Sequence, residues 1–227
     1  MIEDGIYSKI LLIDKPIEWT SFDVVKRVRS MVKKKYRLTK LKVGHCGTLD
    51  PLATGLLVLF IGKKTKEIVK YQNLTKRYNG TIKIGCTTKS FDGEKPEENH
   101  KNYDYISKEN INDAFGKFQG PINQYPPIFS AVKMNGEALY KKARRGDVNI
   151  ELKKRLINIF ELKILTINLP YITFSVKCSK GTYIRSLAHD IGQELKCGGY
   201  LHQLNRVEIG KLKLDNATSI NSIHKHI

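Results

Sequence analysis

A chain of 227 residues can hold one large core or two modest ones, and its hydrophobic fraction of 41% is ordinary for a folded protein in water. No apolar run approaches the roughly 20 residues of a membrane-spanning helix, and the start, MIEDGIYSKI, lacks the basic-then-apolar pattern of a signal peptide, so a cytoplasmic protein without membrane attachment is expected. Forty Lys and Arg against 22 Asp and Glu leave a net charge of +18, the footprint of a nucleic-acid binder or of a lysine-rich set of solvated faces.

In chain order, Ile10 to Ile13 reads as a buried strand. Thr20-x-x-Asp23 is a capping box that opens a helix with Phe22, Val25, Val28 and Val32 on one face. Leu56 to Ile61 is a second buried strand, followed at Gly62-Lys63-Lys64-Thr65 by a basic turn entering a helix. From Arg77 to Gly85 the pattern alternates, with Tyr78, Ile82 and Ile84 facing inward. Ile111, Ala114, Phe115 and Phe118 form a helical stripe that stops at Gly120 and Pro121. Gln124 to Gly146 combines Pro126, Pro127, an Asn135-Gly136 turn and the cluster Lys141, Lys142, Arg144, Arg145, which marks an excursion from the core. Ile172, Phe174, Val176 and Cys178 alternate inward. After the Lys180-Gly181-Thr182 turn, Ile184, Leu187, Ala188, Ile191 and Leu195 make a helix face that ends at Gly198 and Gly199. Strands outnumber helices and short turns join several of them. The expected fold class is α+β around a mixed, largely antiparallel sheet, which disfavours dinucleotide-binding folds.

The four cysteines, Cys46, Cys86, Cys178 and Cys197, lie far apart without C-x-x-C pairs and read as reduced packing residues. Ser130-Ala131-Val132-Lys133 matches S-x-x-K, but the partner motifs S-D-N and K-T-G are absent. Gly62-Lys63-Lys64-Thr65 has the ending of a P-loop, yet Leu57 stands where its first glycine belongs. His45 beside Cys46 does not make a catalytic pair, because such pairs are formed in space. His189, on the flank of its helix, reads as a satisfied or solvated side chain.

The segment from Gly44 to Leu57, GHCGTLDPLATGLL, gathers small residues, one acid and one imidazole where neither a regular helix nor a regular strand fits. Gly44, Gly47 and Gly55 permit tight backbone turns. Pro51 biases Asp50 toward an extended conformation on a stiff loop. Spacing alone favours another reading, in which Asp50 caps a helix and Pro51 opens its first turn.

His45-Cys46-Gly47-Thr48-Leu49-Asp50-Pro51-Leu52-Ala53-Thr54-Gly55 resembles the signature around the catalytic aspartate of the TruB family of tRNA pseudouridine synthases. Leu12-Ile13-Asp14-Lys15-Pro16 with Thr20-Ser21 resembles the family's first motif, with Glu18 where that motif usually has glycine. Lys76-Arg77-Tyr78 is similar to the tract of its active-site tyrosine, and Tyr125-Pro126-Pro127 with Ser130-Ala131 to the start of its thumb loop. Cys178-Ser179-Lys180-Gly181-Thr182-Tyr183-Ile184-Arg185 is similar to the tract of its active-site arginine, and Leu204-x-Arg206-x-x-x-Gly210 to its last motif. The resemblance runs along nearly the whole chain in family order.

It implies a pseudouridine synthase catalytic domain over residues 1–210 with a thumb loop inserted at about 124–150. A short tail, 211–227, would follow in place of an RNA-binding PUA domain. The implied activity is conversion of uridine-55 in the T-loop of tRNA to pseudouridine by a monomer that needs no obligatory protein partner. Breaking the uracil N1 to ribose bond and rejoining the base through C5 involves no net redox change, metal or energy donor, so neither cofactor nor metal is expected. By the same resemblance Asp50 is the nucleophile, Arg185 pairs with it and keeps it ionised, and Tyr78 stacks on the extruded uracil and assists proton transfer. His45 fills the space the base leaves, Tyr183 and Leu204 wall the pocket, and Lys15, Lys141, Arg144 and Arg145 serve RNA binding. The competing readings are a guide-RNA-dependent synthase acting on ribosomal RNA and a non-catalytic RNA-binding or chaperone protein. The set Asp50, Tyr78 and Arg185 separates the last from the enzymes.

Overall fold

The computed structural model describes residues 8–130, 133–134, 136–145 and 152–225. In chain order these form β1 (Ile10–Lys15), α1 (Ser21–Lys35), β2 (Val43–His45), β3 (Ala53–Ile61), a 3-10 stretch Gly62–Glu67 leading into α2 (Ile68–Gln72), and β4 (Lys76–Ile84). A small hairpin of β5 (Thr87–Thr88) and β6 (Glu97–Glu98) precedes α3 (Lys108–Gly116) and β7 (Gly120–Gln124). The excursion holds β8 (Lys133–Met134), β9 (Glu137–Ala138) and α4 (Leu139–Arg145). Then come β10 (Arg155–Asn168), β11 (Tyr171–Cys178), α5 (Ile184–Glu194), β12 (Gly199–Ile209), β13 (Leu212–Lys213) and β14 (Thr218–Ser219). The fold is α+β with a mixed sheet in which antiparallel pairs predominate. Two compact units can be distinguished, residues 1–78 with 204–227 and residues 79–203.

In the first unit the strand order is β14-β1-β3-β12, with β2 also paired to β3 and β13 to β12. Strand β1 runs antiparallel to β3 from Ile10 opposite Phe60 to Lys15 opposite Gly55. The pairs β1–β14 and β3–β12 are parallel. Strand β3 is apolar without alternation because both its faces are covered. Leu57, Leu59 and Ile61 pack with Leu11, Ile13 and the α1 valines, while Leu56, Val58 and Phe60 pack with Cys46 and Ile209. Ile220 and Ile223, beyond Gly210, are buried in the first of these cores.

The capping box that starts α1 is formed: the Asp23 amide donates to Thr20 Oγ1 at 3.0 Å and the Thr20 amide donates to the Asp23 carboxylate at 3.0 Å. Lys33, Lys34 and Lys35 close the helix where cations favour its dipole. The buried stripe is Ser21, Val24, Val25, Val28 and Val32. Phe22, expected on that face, is 54% exposed with Lys26 Nζ 4.8 Å from its ring centre. It sits one position, roughly 100° of rotation, past Ser21 and so leaves the stripe.

In the second unit the order is β4-β11-β10-β7, with β10 antiparallel to both its neighbours. Alternation places Tyr78, Ile82 and Ile84 of β4 and Ile172, Phe174, Val176 and Cys178 of β11 inside, as the sequence predicts. Helix α3 buries Ile111, Ala114 and Phe115 but ends at Gly116, short of Phe118. Helix α5 buries Ile184, Leu187, Ala188 and Ile191. All four cysteines are buried free thiols.

Glu18 has φ 67°, a left-handed conformation that costs a non-glycine residue about 1–2 kcal/mol. Its side chain is exposed, and this is the place where the family motif usually has glycine. Glu18→Gly should therefore raise stability, by up to about 1 kcal/mol after the added freedom of the unfolded chain is counted. Denaturant midpoints of the two proteins measure the difference, and a clear loss in the glycine variant would contradict it.

Candidate active site

Asp50 lies on the loop of the hairpin that β2 and β3 form, where His45 pairs with Leu59 and the Cys46 amide donates to the Val58 carbonyl. After Asp50 the chain makes a turn at residues 51–52 and enters β3 at Ala53. No helix follows, so the capping reading that spacing favours is overturned: the Asp-Pro pair ends a loop ahead of a strand. The Ala53 amide donates to the Asp50 carbonyl at 3.1 Å and closes this turn.

The backbone on both sides of Asp50 is held from outside the loop. On one side the Leu49 amide donates to Ser21 Oγ at 2.8 Å, and that hydroxyl donates to the Leu49 carbonyl at 3.0 Å. Ser21 is buried in the first turn of α1, so the capping box that starts the helix also positions this contact. On the other side the Pro51 carbonyl accepts from the Glu18 amide at 2.9 Å and from Lys15 Nζ at 3.2 Å. Lys15 is fully buried and gives its other bonds to the carbonyls of Pro16, at 2.8 Å, and Trp19, at 2.6 Å.

Arg206 of β12, 1% exposed, donates from Nε to the Leu56 carbonyl at 2.8 Å and from Nη2 to the Gly47 carbonyl at 3.0 Å, joining the two arms of the hairpin. Gly55 has φ 98°, and a Cβ there would lie 2.5 Å from the Arg206 carbonyl oxygen and 2.8 Å from its amide nitrogen. Only glycine lets β3 and β12 approach this closely. Leu204 pairs with Ala53 in the same parallel register.

The electrostatics follow from burial. Lys15 is brought down from 10.5 to about 8, first by desolvation, against which the Asp50 carboxylate pulls upward, while Arg206 adds to the lowering. His45 is held below its ordinary 6.5 by burial and then by the Arg206 cation. The Cys46 thiol is pushed up by burial, so it stays protonated and is no nucleophile.

Of the other expected site residues, Tyr78 is buried on β4 at the end of the first unit's opening segment. Arg185 and Tyr183 belong to the second unit. Tyr183 is the N-cap position of α5 without a side-chain cap. The Gln124 amide group clasps its peptide instead, accepting from the Tyr183 amide at 2.8 Å and donating to its carbonyl at 3.0 Å. Arg185, 5% exposed, donates to the carbonyls of Ser90 at 3.1 Å and Phe129 at 2.9 Å, and its Nε lies 3.6 Å from Asp92 Oδ2. In the excursion, Arg145 makes a two-pronged contact with Glu137 at 2.6 and 2.8 Å. The side chains of Lys141 and Arg144 lie outside the described residues. His189 is stacked on Phe91, ring centres 3.9 Å apart, and is half-buried rather than solvated.

Sequence reasoning did not single out Ser21, Arg206, Ser90, Asp92 or Gln124. The first two stand inside quoted motifs, which was their available signal. The rest act through backbone groups far away in the chain and leave no local pattern.

Because His45 is held below 6.5 when folded, the unfolded chain takes up its proton first as pH falls, and that part of native stability is lost on acidification. The stability difference between the wild type and His45→Gln should therefore move against the wild type as pH drops below 6.5. Denaturant titrations at a series of pH values test this, and a difference independent of pH would refute it.

The family model described as TruB family pseudouridylate synthase (N terminal domain) matches residues 33–184. The tRNA pseudouridine synthase B of Chloroherpeton thalassium is 46% identical over 219 residues, covering 96% of this chain and 90% of the relative. That of Phocaeicola vulgatus is 44% identical over 214 residues, covering 94% and 91%. Among solved structures, a chain of a Cbf5-Nop10-Gar1 complex superposes with a TM-score of 0.72 at 25% identity over 99% of this chain. A chain of the archaeal box H/ACA sRNP Nop10-Cbf5 complex does so with 0.68 at 23% over 99%. This chain spans 55% of each of those two chains.

Proposed function

Since the chain belongs to the TruB family of pseudouridylate synthases, we infer that it isomerises uridine to pseudouridine in tRNA, at position 55 of the T-loop, with Asp50 as the nucleophile. The observation that carries the activity is identity of 44–46% with tRNA pseudouridine synthases B over nine-tenths or more of both chains. A guide-RNA-dependent reading is not favoured, because the Cbf5 chains are far less similar. For Asp50 the support is physical: a carboxylate on a loop whose neighbouring peptides are held by Ser21, Lys15 and Arg206 presents a fixed anion.

In the proposed reaction the uridine is extruded from the T-loop, and the carboxylate attacks or stabilises the electron-poor carbon exposed as the N1 to ribose bond breaks. The uracil turns, C5 bonds to the ribose carbon as the carboxylate is released, and the proton lost from C5 is matched by one gained at N1. Atoms and electrons balance without a cofactor. Tyr78 provides the stacking ring and a hydroxyl for the proton, Arg185 is the active-site arginine, and His45, Tyr183 and Leu204 shape the pocket. Residues 124–150 act as the thumb, where Lys141, Arg144 and Arg145 meet phosphates, whereas Lys15, expected from the sequence to serve RNA binding, is buried on three carbonyls and holds the Pro51 peptide instead. The enzyme acts as a cytoplasmic monomer on the T-arm. Among the described residues no helix is long and apolar enough to cross a membrane.

Asp50→Asn preserves shape while removing the charge and the nucleophile. Pseudouridine at the T-loop position should fall to background while tRNA affinity persists, since phosphate contacts supply most of the binding. Full activity in this variant would falsify the assignment of Asp50, whereas the absence of T-loop pseudouridine with wild-type protein would overturn the substrate.

Tyr78→Phe keeps the ring and loses the hydroxyl. Turnover should drop by about 100-fold or more with RNA affinity unchanged, within the usual range for removing a general acid or base. Wild-type single-turnover rates would reduce Tyr78 to a stacking platform.

A further inference from the structure

We propose that Cys86, Glu97 and His100 form a site for a divalent ion of the zinc class, which would clip together the two arms of the β5–β6 hairpin in the second unit. A sulfur, a carboxylate oxygen and an imidazole nitrogen from these residues lie within 4.8 Å of one another. Sequence spacing gives no hint of it, because the site uses one cysteine and its three residues meet only across a strand pair.

The backbone explains why they meet. Thr88 pairs with Glu97 and Thr87 with Glu98, so Cys86 and Glu97 sit diagonally on one face of the antiparallel pair. Strict alternation would send His100 to the opposite face. Asn99, however, has φ 54°, and the ladder beyond it slips, with the Lys101 amide donating to the Gly85 carbonyl at 2.8 Å. That left-handed step breaks the alternation and brings His100 to the same face as the other two.

The donor set discriminates among ions. Thiolate with imidazole suits zinc and similar borderline metals, whereas magnesium and calcium need mostly oxygen ligands and would find one carboxylate. Bond lengths of about 2.3 Å to sulfur and about 2.0–2.2 Å to nitrogen and oxygen put tetrahedral donors roughly 3.5 Å apart. The donors must close by up to about 1 Å, and His100, exposed beyond the strand pair, is the residue placed to do so. A water completes the tetrahedron.

Glu97 is prepared for the role. Its Oε1 accepts from Lys83 Nζ at 2.6 Å and from Tyr200 OH at 2.7 Å, which orients the carboxylate, and the Cys86 thiol also hydrogen-bonds to it through the proton that the ion would replace. Binding releases the thiol proton to solvent, and thiolate and carboxylate together neutralise the divalent charge. Lys83 keeps its bond to Oε1.

The loop closed by this clip contains Ser90 and Asp92, both partners of Arg185. An ion would thus restrain the segment that holds the Arg185 guanidinium, and this linkage stands whatever chemistry Arg185 performs.

The test is a titration of purified full-length protein with Co2+, the spectroscopic substitute for Zn2+. The wild type should develop a thiolate-to-cobalt charge-transfer band in the near ultraviolet that saturates at one ion per chain and is displaced by Zn2+. Cys86→Ser should lose the band, and His100→Ala, altered at an exposed residue and so expected to fold, should weaken binding by about 100-fold. Absence of a saturable band in the wild type, or an unchanged band and affinity in His100→Ala, overturns the proposal.

Discussion

A buried guanidinium must place its donors on acceptors or lose several kcal/mol, and Arg206 meets that requirement with backbone carbonyls rather than an acid. Its two acceptors, Gly47 and Leu56, lie on opposite arms of the hairpin that carries Asp50, so satisfying one cation fixes the width of the loop's mouth. The close approach of β12 to β3, possible only because residue 55 is glycine, brings Arg206 within reach. The Ser21 and Lys15 contacts then set the two peptides that flank the acid. Local order at one side chain therefore depends on helix capping, a glycine contact and two buried cations at once.

Arg185 shows the same logic in the second unit. Carbonyls of Ser90 and Phe129 take two of its nitrogens, and the Asp92 carboxylate lies beside the third. Ser90 and Phe129 belong to loops with no regular structure of their own, so the arginine organises them as much as they orient it. The Gln124 clasp on the Tyr183 peptide fixes where α5 begins and hence where Arg185 projects. Charges in both units are seated mainly by main-chain oxygens. At Arg206 that arrangement orients the cation through neutral acceptors, whereas Arg185 also has the Asp92 carboxylate at 3.6 Å.

What could be read in advance followed from short-range periodicity. The capping box of α1, the alternation of β4 and β11 and the stripe of α5 are all decided within one or two turns of chain, and they appear where the residues predict. Strand β10 was not legible, because register shifts between Ile159 and Glu161 and between Ile164 and Thr166 break its period of two. Strand β12 mixes buried and half-exposed positions without alternation, and it too escaped. Phe22 misled because an aromatic beside a valine stripe looks like part of it. At the site, Asp50 stood out only through resemblance to a family, since its spacing equally describes a cap. Ser21, Arg206 and Asp92 hold groups dozens of residues away, and no local pattern records such contacts.

Strand β3 is buried in both cores of the first unit: odd-numbered residues from Leu57 to Ile61 face α1, and even-numbered ones from Leu56 to Phe60 face Cys46 and Ile209. A strand bonded along both edges and buried on both faces has no partial opening available to it, so its amides exchange with solvent only when the whole unit unfolds. The loop ahead of it is tethered to that slowest-opening segment. Asp50 thus inherits the lifetime of the native state instead of that of a surface loop, and destabilising changes anywhere in either core reach it as a shorter residence in its working position.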